Sequence, residues 1–124
     1  MGQLSSIRLI GSRGTLKTEG VGVYWDQNCT SSVHSFDWGI VEPDSLKNAT
    51  VFVRNEGNGA SSLFLAADNW STSNASDFIS LNWDYSGYTL LPNQVTKVVL
   101  TLFIASNIEG VKDFTFDIII GVNG

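Results

Sequence analysis

A chain of 124 residues, 43% hydrophobic and only 15% charged, fits one domain with apolar material for one core. Seven Lys and Arg stand against twelve Asp and Glu, a formal net charge of −5. With no basic stripe, nucleic acid and anionic membrane surfaces are disfavoured as partners. The single cysteine, Cys29, forbids an internal disulfide.

Taken in chain order, Ser5-Ser-Ile-Arg-Leu-Ile10 holds a short strand-like core, and Gly11-Ser-Arg-Gly14 is expected to break it. Residues 1–14 therefore read as an N-terminal arm or edge strand, and residues 15–124 as the domain proper. Met1-Gly2-Gln3 reads as a trimmed start, from which an export signal or anchor would have been removed. Leu16 to Trp25 is the first secure strand region, carrying the β-prone run Val23-Tyr-Trp25. Asp26 to Ser32 is a polar loop. Val33 to Ile40 follows as a strand with Val33, Phe36, Trp38 and Ile40 as its apolar positions, and Glu42-Pro-Asp-Ser45 is a turn with Pro43 suited to its first central position.

Leu46 to Arg54 is the clearest strand: Ala49, Val51 and Val53 point one way, Asn48, Thr50 and Phe52 the other. Asn55 to Ala60 turns the chain. Leu63 to Ala67 predicts a short strand, Asp68 to Asp77 a polar connection with a helical turn at Asn74 to Asp77, and Phe78 to Tyr85 another strand. Val95 to Ile104 presents Val98, Leu100, Leu102 and Ile104 on one face, and Phe114 to Ile120 presents Phe114, Phe116, Ile118 and Ile120. Seven or eight strands with frequent turns and no long helix predict an all-β, immunoglobulin-like antiparallel β-sandwich, with a small barrel as the second architecture.

The runs Trp38-Gly-Ile-Val-Glu-Pro43, Lys47-Asn-Ala-Thr-Val-Phe-Val-Arg-Asn-Glu-Gly-Asn58 and Leu90-Leu-Pro-Asn93 carry a resemblance. With the final Phe114 to Ile120 strand, they resemble archaeal extracellular immunoglobulin-like surface domains over about two-thirds of the chain. In outline the chain is also similar to archaeal bundling pilins and TasA-like fibre subunits. The resemblance implies a non-catalytic cell-surface or secreted protein, partnered by copies of itself or neighbouring surface proteins. The narrower likeness implies that one subunit's N-terminal strand fills a groove in the next. Ser5 to Ile10 would then be the donor, with Ile7, Leu9 and Ile10 as its apolar residues.

Residues with chemistry are few. Cys29 and His34 are the only thiol and imidazole. A nucleophile needs a third, orienting group and an oxyanion site, so a small hydrolase ranks third among the readings. No zinc set is recognisable, and Asp26, Asp37, Asp68 and Asp84 lack calcium-loop spacing, leaving no cofactor or metal expected. The second functional reading is a carbohydrate-binding module, with Trp70, Tyr85 and Tyr88 as stacking surfaces and Trp38 and Trp83 in the core. Four sequons, at Asn28, Asn48, Asn69 and Asn74, offer acceptors for N-glycans, three of them in expected loops.

Overall fold

The computed structural model describes residues 10–71, 73–108 and 113–123. Eight strands form: β1 Ile10–Glu19, β2 Val21–Tyr24, β3 Ser35–Val41, β4 Ser45–Asn55, β5 Leu63–Ser71, β6 Ile79–Trp83, β7 Val95–Ile104 and β8 Asp113–Val122. One sheet has the order β3-β1-β8-β5 and the other β2-β4-β7-β6. All pairs are antiparallel except β1 with β8. The two sheets stack as a sandwich, and the barrel alternative falls away.

The strict alternation of β7 and β8 builds the core. Val98, Leu100, Leu102, Ile104, Phe114, Phe116, Ile118 and Ile120 are all buried, in one cluster with Val51 and Val53 of β4 and Phe36, Trp38 and Val41 of β3. Each such aliphatic side chain contributes about 1.5–3 kcal/mol by leaving water. The faces expected for β4, β7 and β8 are the faces observed. A 3-10 turn at Ser73–Asp77 buries Ala75 where a helical turn was expected.

Three expectations are corrected. Gly11-Ser-Arg-Gly14 does not break the chain. It lies inside β1, an inner strand paired to β3 on one side and β8 on the other. The glycine is wanted there for room: a Cβ on Gly14 would stand 2.7 Å from Cδ1 of Ile118. Second, β5 runs on to Ser71, absorbing the first four residues of the polar connection expected over Asp68 to Asp77. Asp68 and Asn69 face outward and are exposed, while a register irregularity between Asp68 and Ser71, with Asn69 at φ 55°, leaves Trp70 packed on the core.

The third correction concerns Ile40. It was expected on the face of Phe36 and Trp38, yet it is 55% exposed. Pairing slips where Ser12 faces Gly39 but Arg13 faces Asp37, so Trp38 has no opposite residue. This β-bulge carries Gly39 at φ 73° and is held by Ser12 Oγ donating to Gly39 O (3.0 Å) and Gly39 N–H donating to Asp37 Oδ1 (2.9 Å). One inserted residue shifts the alternation, sending Ile40 outward and Val41 inward.

Candidate functional site

At Gly20 the chain leaves the end of β1 and crosses to the other sheet, where it begins β2. β2 is short. It pairs with β4 only from Phe52 to Asn55, whereas β7 pairs with β4 from Ser45 to Arg54. The chain departs at Trp25 because the Asp26 to Ser31 turn captures it. Trp25 N–H donates to Ser31 O (2.8 Å), and Asp26 Oδ1 accepts from the N–H groups of Thr30 (2.9 Å) and Ser31 (3.0 Å). The Thr30 hydroxyl and then the Ser31 N–H hold the Asp26 carboxyl below its usual range.

Beyond Tyr24, the outer side of β4 from Ser45 to Val51 has no strand beside it among the described residues. In an antiparallel ladder alternate residues turn N–H and C=O away from their partner, so this side offers free backbone donors and acceptors. A groove of about 280 Å³ lies along it, lined by Trp25, Phe36, Asp37, Trp38, Lys47, Asn48 and Ala49. Its floor is aromatic: Trp25 meets Phe36 edge-on at 5.6 Å, and Phe36 stacks on Trp38 at 5.6 Å. A second depression of about 200 Å³ adjoins it at Ile40, Glu42, Ser45, Leu46 and Lys47. Ile40 and Leu46 are 55% and 59% exposed, and Leu46 pairs across strands with Phe103, another exposed apolar residue.

Of the expected donor residues, Ile7 and Leu9 lie outside the described residues. Ile10 is the first residue of β1 and pairs with Val41 of its own sheet.

Of the stacking residues expected, Tyr85 and Tyr88 come together, their rings 4.7 Å apart, while Trp70 packs on the core. Trp70 lies on β5, not in an open loop, with one ring face stacked on Phe116 at 4.3 Å and a tilted contact to Phe114 at 6.1 Å. Tyr85 is half-buried; its hydroxyl accepts from Leu63 N–H (3.0 Å) and donates to the Tyr88 carbonyl. Tyr88 is exposed and bonds to Thr96. Trp38 is in the core as expected, with an indole N–H that has no partner there among the described residues, and Trp83 packs at the core's margin. The exposed indole is Trp25, at 45%. Its position at the end of a β-prone run, directly before a polar loop, was the signal in the sequence.

Cys29 sits in the Asp26 to Ser31 turn, its Sγ turned to Gln27 O at 3.7 Å. His34 is exposed and lines a different groove, of about 230 Å³, with Tyr24, Ser32 and Glu56. Beside Tyr24 and Glu56 of that groove, Arg54 donates to Glu56 Oε2 (2.8 Å) and to the Tyr24 hydroxyl (3.0 Å), which itself donates to Glu56 Oε2 (2.5 Å). The Tyr24 hydroxyl, then Arg54, lower the Glu56 carboxyl, and the same bond to Glu56 raises the Tyr24 phenol. The three side chains converge on Glu56 Oε2, so the trio braces the surface. Among the described residues no three His, Cys, Asp or Glu side chains gather as a metal site.

The sequons separate. Asn28 is exposed in its turn, and Asn48 is exposed on β4 with Oδ1 accepting from Thr101 Oγ1 (2.9 Å). Asn69 is on a strand, not in a loop, and its amide donates to Asp117 Oδ2 (2.6 Å). Asn74 lies in the 3-10 turn. Neither a protein-family model nor a curated protein matches the chain.

Proposed function

We propose that this protein is a non-catalytic structural or interaction domain of the cell surface, assembling by adding an extended strand along β4. The carrying observation is the outer side of Ser45 to Val51, which lacks a neighbouring strand among the described residues and runs over an aromatic-floored groove. Strand addition suits that geometry. Backbone hydrogen bonds supply affinity, and alternate side chains entering the groove set the register. The donor is residues 5–9 of another copy, with Ile7 and Leu9 entering toward Phe36 and Trp38. The likeness to archaeal surface and fibre domains supports the same reading, as does a composition poor in charge and rich in Asn, Ser and Thr.

The test uses the chain without residues 1–9, which keeps β1 whole, and a peptide of residues 4–10. The truncated protein binds the peptide, and Ala49→Arg, which fills the groove's wall with a charged side chain, weakens binding at least tenfold. A truncated protein that ignores the peptide, and whose light-scattering mass equals that of the full chain, would sink the reading.

A further inference from the structure

We infer that strand donation closes between two copies as a reciprocal, two-fold exchange and does not propagate into a filament. This inference rests on the strand-addition reading and adds the geometry of closure to it.

The argument turns on which end of the sandwich each part occupies. Ile10, where residues 1–9 join the fold, pairs with Val41 at the end of β3. Only Glu42 to Asp44 separates Val41 from Ser45, the first residue of β4 and one end of the vacant lane. The exit of the donor segment and one mouth of the acceptor groove therefore share an end of the molecule. The other end of the lane is closed by β2 and Trp25.

Direction follows. β2 is antiparallel to β4, and a strand continuing its line is antiparallel too, running from the Val51 end toward Ser45. A donor laid that way delivers its Ile10, and the body that follows, to the acceptor's open end. Because each copy has its exit and its groove at that same end, the second copy's segment then lies beside the first copy's empty lane. Placing both segments is one two-fold operation, and the closed pair leaves neither groove vacant. A growing fibre needs donor and acceptor at opposite ends.

Filling its own groove is disfavoured by topology. Phe36 to Trp38 of β3 share the groove with Lys47 to Ala49, which sets β3 across from the lane, with β1 the next strand inward in its sheet. The Glu42 to Asp44 turn runs on one diagonal, from β3 to β4. A segment leaving the lane for β1 must take the other diagonal at the same end, and connections avoid crossing in this way. Length is sufficient for exchange: residues 1–9 alone would reach about 30 Å when extended, against about 23 Å for Ser45 to Val51. The shared end also carries the exposed Ile40 and Leu46, which two abutting bodies cover.

The experiment is sizing of the full chain across a hundredfold concentration range, with a crosslink to trace the strands. In a Cys29→Ser background, Arg8→Cys and Asn48→Cys are joined by a short bis-maleimide, whose reach tolerates a slip in register. The expected result is a species of twice the chain mass that does not grow with concentration, and a crosslinked dimer with no higher bands. A ladder of larger species overturns closure while leaving strand donation standing. An intramolecular crosslink in a monomer overturns exchange. A monomer without any crosslink overturns closure and the strand-addition reading together.

Discussion

Asn55 donates its side-chain amide to the main-chain carbonyl of Leu90, at 3.0 Å and 35 residues away in the chain. Asn55 is fully buried, and its remaining valences are all used: Nδ2 also donates to Gly59 O (3.0 Å), and Oδ1 accepts from Gly57 N–H (2.9 Å). Its backbone continues the same junction, with N–H donating to Gln94 O and C=O accepting from Asn93 N–H. One residue thus shapes the turn after β4 and ties it to the loop before β7. Asn55→Ala removes all three side-chain bonds, leaving Gly57 N–H and the exposed Gly59 carbonyl without that partner while Leu90 O keeps the N–H of Ser61, and is expected to cost about 1–3 kcal/mol in urea unfolding. Asn55→Asp keeps the acceptor for Gly57 but turns lone pairs on the two carbonyls. It is expected to be at least as destabilised at neutral pH and to recover part of the loss in acid.

Gly39 shows how a single residue controls which face is seen. Its φ of 73° is left-handed, and a Cβ there meets nothing within 4 Å. Gly39→Ala therefore isolates the backbone term, expected at about 1–2 kcal/mol, and Gly39→Asn is expected to lose less because Asn tolerates that region. Thermal unfolding of the two variants checks the order.

Most strand faces were legible because strict alternation admits one reading: Val98 to Ile104 and Phe114 to Ile120 have no competing period. The bulge at Trp38 to Gly39 was not, since it depends on a register with β1 that lies far off in sequence. Nor was the inner position of Gly11 to Gly14. Two glycines in four residues signal a break locally, whereas here Gly14 accommodates Ile118 of the neighbouring strand. Trp70 looked exposed for a related reason. Its neighbours Asp68, Asn69 and Ser71 are polar, but they face out while the indole stacks on Phe116. The groove itself was beyond local reading, because it arises where β2 stops.

Tyr85 links two segments by its hydroxyl, accepting from Leu63 N–H and donating to Tyr88 O. Tyr85→Phe keeps the ring contacts to Trp83 (5.2 Å) and Tyr88 (4.7 Å) and removes only those bonds. The expected loss is about 1–2 kcal/mol, with amide exchange at Leu63 accelerated beyond the global change.

The outer face of the β1-β8-β5 sheet carries a chain of polar contacts whose behaviour with pH can be signed. Asp117 Oδ2 accepts from Asn69 at 2.6 Å and pairs with Lys17 Nζ at 3.0 Å. The Asn69 amide first, then Lys17, hold its carboxyl below the ordinary range. A carboxyl lowered in the folded state adds stability that is fully present above its unfolded value, near 4, and is lost as pH falls through the folded value. Asp117→Asn is therefore expected to flatten the acid limb of the stability profile below about pH 4. The order of causes is testable separately: Asn69→Ala should raise the Asp117 carboxyl further than Lys17→Met does, read by NMR titration. An equal or reversed effect would show that the lysine's charge, and not the amide's hydrogen bond, sets the carboxylate. Added salt then discriminates again, because screening weakens the contribution of the exposed Lys17 ammonium while leaving the short Asn69 contact intact.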